Sequence, residues 1–487
     1  MFSILHISDL HRSQDEPVDN DSLVAALLSD RDRYMGETPV VPTPDAIIVS
    51  GDLIQGAPIG HPNWKEEIRD QYRVAGAFLD HLTRRFLDGD RSKLIIIPGN
   101  HDVCWNTSFA SMERVPESDY PSDVRQALIE PDNNYRWSWK ERALYRIRDT
   151  DEYGHRMSAY WEFVESFYAG VALLRPIDRS RGYQLFELQD RRVVVAAFDS
   201  INANDCFSYS GAIPRGAVAR CDLALRDIPH SYNLRIAVWH HSIYGPPSRD
   251  DYMEVGQVHE MAGLCFHLGM HGHQHVAATT TYYVHLSESR SIAVVSAGSL
   301  CAGSRELPRG VNRQYNLVVI EDNLYRARVH VREMVEGEQF SRKNTGAFSQ
   351  GFAEIDWQAS TDVMGRVIDV RGENDRRAIL QAEEALHTGN PRKAIELLKG
   401  VELSPASHAR KIFIQAALKV EDWPMLIATT IGQPQSTEEV VLLVSALIKT
   451  NALDSAEDIL SNHSEIGSAT RDELEGLIKT KRTMRGV

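Results

Sequence analysis

Five short segments carry most of the side chains in this chain that could do chemistry. They are Ser8-Asp9-Leu10-His11, Ser50-Gly51-Asp52-Leu53, Pro98-Gly99-Asn100-His101-Asp102, Val238-Trp239-His240-His241 and Met270-His271-Gly272-His273-Gln274-His275. Carboxylate, imidazole and amide oxygen form a hard-to-borderline ligand set, suited to Mn²⁺, Fe²⁺ or Zn²⁺ rather than to a sulfur-loving metal. Residues i and i+2 leaving a strand project to one side, so Asp9 with His11, and His273 with His275, can grip one ion. Gly51, Gly99 and Gly272 permit tight turns that bring the ligands inward. Asp52 has two carboxylate oxygens and can bridge two cations about 3.5–4 Å apart, the separation of a two-metal phosphoryl-transfer site. Singly, each residue has a plainer reading: an Asp after a strand is commonly a turn or cap residue, and a His beside Trp239 a satisfied core histidine. The set together predicts a binuclear centre.

Stepping along the chain, β-branched runs recur at 4–7, 46–50, 94–97, 193–198, 236–239, 292–296 and 317–320, each followed by a turn. Helix-length segments lie between several of them, such as 65–86, with apolar Ile68, Tyr72, Ala75, Phe78, Leu79 and Leu82 at helical spacing. The alternation predicts a layered α/β domain. Of 19 histidines only His387, His408 and His463 lie beyond residue 336, which places the chemistry in the N-terminal part. Residues 106–180, rich in Trp, Tyr, Arg and Glu, interrupt the rhythm and read as a helical insertion with a helix near 159–174. It is either a cap beside the site or a pack on the domain's flank. Residues 337–374 read as a linker. From 375 onward helix formers dominate, and segments starting at Leu386, Leu418 and Ile448 align about 30 residues apart, as in a helical-hairpin repeat or a plain helical bundle.

At 487 residues, with 43% hydrophobic and 25% charged side chains, the chain predicts two or three folded units and excludes a disordered, collagenous or coiled-coil protein. Its 53 basic and 68 acidic residues give −15, so no global field gathers polyanions, although a local basic groove fits within that sum. Cys104, Cys206, Cys221, Cys265 and Cys301 form no Cys-x-x-Cys pair and read as buried thiols in a reducing compartment. The start of the sequence has no basic leader or long apolar stretch, and no run of 18 apolar residues occurs; a cytoplasmic protein without a membrane span is expected.

In type and order the five segments resemble the signature of the calcineurin-like metallophosphoesterase superfamily: Asp-x-His, Gly-Asp, Gly-Asn-His-Asp/Glu, a His after a strand, and Gly-His-x-His. The start of the chain and the Gly-Asn-His-Asp block look like the bacterial branch holding class III cyclic-nucleotide phosphodiesterases and DNA-repair exonuclease catalytic domains. The resemblance implies a four-layer α/β/β/α sandwich over 1–336, followed by an all-α domain over 375–487 that resembles a degenerate tetratricopeptide array. It implies two divalent cations, Mn²⁺ first, with Fe²⁺, Zn²⁺ or Ni²⁺ as alternatives. Asp9, His11, Asp52 and His275 match the ligands of one, and Asp52, Asn100, His240 and His273 those of the other, with His241 the alternative to His240. His101 matches the family histidine that stabilises or protonates the leaving oxygen, and Asp102 is expected to orient its imidazole. The implied function is phosphodiester hydrolysis on nucleotides or nucleic acid, by attack of a water acidified between the cations. The alternative is a partner-recruited nuclease or regulatory subunit docked through the C-terminal helices, and monoester hydrolysis also fits the motifs.

Weaker candidates surround this set. Arg12 could meet a phosphate or simply be solvated. His271 reads as either a support for the site or a core histidine, and Arg305, in the loop 298–306, as an anion contact or a surface residue. Arg136, Trp137, Trp139, Lys140, Arg142, Tyr145 and Arg146 of the insertion could stack bases and meet phosphates, or form the solvated face of a packed helix.

Overall fold

A computed structural model of the chain describes residues 1–13, 18–129, 133–244, 251–284, 290–303, 306–335, 338–357, 370–401, 403, 407–430, 434, 437–463 and 466–485. Its strands are β1 (Phe2–Ile7), β2 (Ala46–Ser50), β3 (Leu94–Ile97), β4 (Met112–Arg114), β5 (Tyr135–Ser138), β6 (Ala143–Ile147), β7 (Tyr183–Leu188), β8 (Val193–Phe198), β9 (Leu234–Val238), β10 (Leu268–His271), β11 (Ala278–Val284), β12 (Arg290–Ser296), β13 (Gln314–Ile320), β14 (Arg326–Val335), β15 (Gln339–Arg342) and β16 (Ala353–Asp356). One sheet runs β15-β14-β13-β1-β2-β3, with β16 also on β14, and a second runs β11-β12-β10-β9-β8-β7. At their centres β1, β2 and β3 are parallel, as are β8, β9, β10 and β12.

Strand β8 shows why the apolar runs are unbroken. Val193, Val195 and Ala197 join the core between the sheets, while Val194, Ala196 and Phe198 join the core on the other face. A parallel strand covered on both faces needs apolar side chains at every position. The first core also takes in the helices Asn20–Arg31 and Trp64–Phe86, and the second takes in Ala217–Arg226 and Val255–Gly263. Helices, sheet, sheet and helices thus make the four layers the sequence led us to expect. The helix Trp64–Phe86 buries Ile68, Tyr72, Ala75, Phe78, Leu79 and Leu82 along one stripe, with Glu66 and Glu67 in its first turn and Arg84 and Arg85 in its last. Those charges complement the helix dipole at both ends.

Two expectations need correction. The insertion is not helical throughout: β4, β6 and β5 form an antiparallel sheet beside the short helices Trp105–Ala110, Val124–Ile129, Thr150–Gly154 and Ser158–Phe167. The aromatic and basic residues at 135–147 sit on a hairpin whose turn places Arg142 in the left-handed region (φ 51°). The expected linker is also partly sheet, since β15 and β16 both pair with β14. These strands are four residues long, and only Ala353 and Ile355 of β16 and Phe340 of β15 are buried, too short a pattern to read as alternation. Residues 358–369 of that stretch lie outside the described residues.

The C-terminal region is helical: Val370–His387 and Pro391–Leu397, His408–Lys419 and Trp423–Thr430, Thr437–Lys449 and Leu453–Asn462, then Ser468–Arg485. The three aligned segments fall on the turns between these pairs. Helix Val370–His387 meets the α/β domain through Glu383, which accepts a hydrogen bond from Tyr244. Lys411 donates to Thr280 on β11, and Arg309 pairs with Glu473 at 2.6 Å. No disulfide joins the five cysteines, and Cys265 is exposed rather than buried. No helix among the described residues is long and apolar enough to cross a membrane.

Candidate metal centre

All five segments leave the carboxyl ends of parallel strands. Asp9 and His11 follow β1, Asp52 follows β2, Asn100 and His101 follow β3, His240 follows β9, and His273 and His275 follow β10. Parallel neighbours open their loops at one edge, the place where open α/β sheets bind ligands. The local backbone is unusual: Asp9 (φ 52°), His11 (φ 43°), Asp52 (φ 52°), His273 (φ 74°) and His275 (φ 57°) all occupy the left-handed region. Such conformations cost about 1–3 kcal/mol each and concentrate at functional sites. Asp9 and His11 therefore meet by a curled backbone and not by the strand alternation their spacing suggested. Gly51 turns the chain with φ 99°. Gly99 and Gly272 serve close approach instead: an added Cβ falls 2.1 Å from Asp52 Oδ1 at the first and 1.8 Å from Ser8 Oγ at the second.

The ligand atoms converge in two groups. His275 Nε2 lies 3.3 Å from Asp9 Oδ1 and 3.3 Å from His11 Nε2. Asn100 Oδ1 lies 3.0 Å from both His240 Nε2 and His273 Nδ1. Asp52 Oδ2 stands between them, 3.3 Å from His240 Nε2 and 3.8 Å from His11 Nε2. Among the described residues, Asp9 with His11 and His275, His11 with Asp52 and His101, and Asp9 with Asp52 and His240 each place their ligand atoms within 4.8 Å of one another.

The far nitrogens of His240 and His275 are held by main-chain carbonyls. His240 Nδ1 meets the Ser50 carbonyl at 2.8 Å, His275 Nδ1 meets the Glu306 carbonyl at 3.0 Å, and His273 Nε2 lies 3.2 Å from Asp251 Oδ2. Such contacts fix which nitrogen faces a metal and raise its basicity. The cluster also draws positive charge. Burial works against the charged forms, yet His275 holds Asp9, and His240 and His101 hold Asp52, below the usual carboxylate range. Burial lowers His240, but the Asp52 carboxylate outweighs it and raises the imidazole to about 9. His11, buried and facing His101, drops to about 3. Its Nδ1 is buried with no hydrogen-bond partner. A donor set of imidazole, carboxylate and amide oxygen, with lone pairs converging at short range, fits two divalent cations.

The expected roles divide. His240 places Nε2 among the ligand atoms; His241 lies beside it, with Nδ1 at 3.0 Å from the Ser200 hydroxyl and its ring 4.8 Å from that of His273. His101 is in place, its backbone N–H donating to Asp52 Oδ1 at 2.8 Å. Asp102 does not orient it: the imidazole's Nδ1 meets the Gln55 carbonyl at 2.8 Å. The Asp102 carboxylate turns the other way, accepting from Gly99 N at 2.8 Å, Leu53 N at 3.2 Å and the Tyr72 hydroxyl at 3.0 Å. Three buried donors compete for this carboxylate, and burial with the nearby Asp52 raises it to about 7. Asp102 thus staples the loop that carries Asn100.

Arg12 is buried, donating to the Val18 carbonyl and Asn20, and is therefore not the solvated residue of the alternative reading. His271 is a core residue stacked on Trp239, and burial lowers it to about 4. Arg305 lies outside the described residues. In the insertion, Arg136 pairs with buried Asp205 at 2.5 Å and Arg146 with Glu113. Sequence reasoning missed Gln55, Ser200, Asp251 and the Glu306 carbonyl, because nothing in a single sequence marks a residue that acts through its main chain or from a distant loop.

The family model described as calcineurin-like phosphoesterase matches residues 2–277, more than half of the 487 residues. No curated protein matches the chain. Among solved structures it is similar to a dimetal phosphatase from Danio rerio, with 12% identity and TM-score 0.36, covering 69% of this chain and 97% of that one. It is similar to a 5′-nucleotidase from Candida albicans, with 14% identity and TM-score 0.34, covering 66% of this chain and 48% of that one. A third is a calcineurin-like phosphoesterase, YfkN, from Bacillus subtilis, with 12% identity, TM-score 0.27 and coverage of 70% and 87%. With its motifs in order at one sheet edge and its family model matched, the chain belongs to the calcineurin-like phosphoesterases, a family of metal-dependent phosphoester hydrolases.

Proposed function

We propose that this protein is a two-metal phosphodiesterase acting on nucleotide or nucleic-acid diesters. Asp9, His11 and His275 would hold one divalent cation and Asn100, His240 and His273 the other, with Asp52 shared; Mn²⁺ suits this oxygen and imidazole set. When bound, the cations supply charge neutralisation on the phosphoryl oxygens and a water acidic enough to lose its proton near neutral pH. The chain's own contribution centres on His101. With Nδ1 fixed on the Gln55 carbonyl, Nε2 is left to hold the proton that the leaving oxygen needs.

One observation supports diester over monoester. The Glu306 carboxylate, tied to Gln55 Nε2 at 2.6 Å, lies within the electrostatic reach of His11 and His101. A dianionic monoester sets two charges against that carboxylate, and a diester only one. The test is hydrolysis of bis-p-nitrophenyl phosphate against p-nitrophenyl phosphate by metal-stripped protein resupplied with Mn²⁺, with Asp52→Asn as the control. Preference for the diester, lost in the variant, supports the reading; preference for the monoester overturns it. The helical hairpins after residue 370 are the surface we assign to a protein partner, and five cysteines without a disulfide fit a reducing, cytoplasmic setting.

A further inference from the structure

A line of aromatic rings leads away from His101. The Trp105 ring lies 6.2 Å from the His101 imidazole, and Tyr209 lies 5.7 Å beyond Trp105. Trp105 is half-buried against the first core and Tyr209 is 42% exposed, and their planes meet at 56°, so part of this aromatic pair is open to solvent next to the candidate catalytic histidine. The two rings come from different segments that both converge on the metal cluster. Trp105 follows Asn100 and His101 by one short turn, and Gly211, just after Tyr209, packs against His241 so closely that an added Cβ falls 2.5 Å from that ring.

The insertion fastens the Tyr209 segment. Asp205 Oδ1 accepts from Phe207 N at 2.8 Å and Ser208 N at 2.9 Å, while its other oxygen takes Arg136 and the Tyr153 hydroxyl. Phe207 packs on Tyr145 and Phe109 at 4.8 and 6.0 Å, and the Tyr209 hydroxyl donates to the Cys206 carbonyl at 3.0 Å. Of the insertion residues that looked like phosphate and base contacts in the sequence, Arg136 and Tyr145 are thus part of the frame of this loop.

We propose that Trp105 and Tyr209 form a ledge that stacks one heteroaromatic base of a nucleotide diester, on the side where His101 meets the leaving oxygen. The ledge makes the protein selective for a base-bearing leaving group; it rests on the phosphodiesterase reading for its substrate but not for its test. Base stacking on aromatic side chains contributes about 1–3 kcal/mol per base, or about 5- to 150-fold in affinity.

The measurement is calorimetric titration of the full, Mn²⁺-loaded chain with a phosphorothioate-linked dithymidine, whose sulfur slows hydrolysis, and with two analogues lacking the base on one nucleoside or the other. Removal of one particular base should weaken binding about tenfold while removal of the other changes little. That difference should vanish in Trp105→Leu and Tyr209→Leu and persist in Tyr209→Phe, which keeps the ring and guards against mere loss of fold. Equal binding of all three ligands by the wild type overturns the ledge. So does a difference that survives both leucine variants but disappears in Trp139→Ala, which would move the base to the groove of about 930 Å³ lined by Arg136, Trp137 and Trp139. Absence of diester turnover with base-dependent binding intact would sink the hydrolytic reading and leave the ledge standing.

Discussion

His101 Nδ1 lies 2.8 Å from the carbonyl oxygen of Gln55, and the neighbouring Asp102 faces away from it. The histidine and the carboxylate therefore separate on substitution. His101→Ala should lose about 10²–10⁴-fold in kcat on a nitrophenyl diester, the range of general acid–base contributions. Asp102→Asn retains an oxygen for the Gly99 and Leu53 N–H groups and should stay within about tenfold of wild type. Turnover and metal content measured side by side decide this. A collapse of kcat in Asp102→Asn with both metals bound would return Asp102 to the proton-transfer machinery.

The approach of the β2 and β3 loops depends on Gly99. A methyl there falls 2.1 Å from Asp52 Oδ1 and 2.3 Å from Asp52 N, and neither the backbone nor a wedged carboxylate yields cheaply. Gly99→Ala should lower stability by about 1–3 kcal/mol, the ordinary cost of overpacking, and reduce bound metal. Denaturant unfolding and elemental analysis read the two effects. Full metal occupancy in the variant would show that Asp52 is not fixed by this contact.

The contrast between these residues shows what a single sequence displays. Ligand types, their order and the strands before them were legible, because parallel strands covered on both faces leave unbroken runs such as Val193–Phe198 and metal ligands are few in kind. The way Asp9 reaches His11 was not legible, since nothing in Asp-x-His announces φ values of 52° and 43°. Asp251 was equally hidden, for its contact with His273 joins different segments of the fold. Residues 135–147 misled because Arg and Trp alternating on a short hairpin also suit a helix face, and β15 and β16 were too short to show a period.

Arg136 tests the frame of the insertion. Its partner Asp205 has a fully buried carboxylate, and removing one member of a buried pair typically costs about 3–5 kcal/mol. Tyr153 still donates to Asp205 in Arg136→Ala, so about 3 kcal/mol is expected from denaturant unfolding. A change below about 1 kcal/mol would mean the pair is relaxed in solution.

Far from the metal site, His330 on β14 provides a pH test. Burial, with Arg332, Arg328 and Arg342 adding to it, lowers this imidazole to about 3. Below pH about 6.5 the unfolded chain takes up a proton that the folded chain refuses, so stability is lost as pH falls from there toward 3. At pH about 5.5 the loss from this group is about 1 kcal/mol. His330→Leu should flatten the acid side of a plot of melting temperature against pH; a parallel curve would show that His330 already titrates normally when folded.

The central claim is a pair of cations sharing Asp52, and it is tested most directly by electron paramagnetic resonance of the Mn²⁺-loaded chain together with elemental analysis. Two manganese ions per chain with the spectrum of an exchange-coupled pair are expected for the wild type. Asp52→Asn should lose the coupling or at least one ion. A single bound ion, or two ions with uncoupled spectra in the wild type, would contradict the bridged centre.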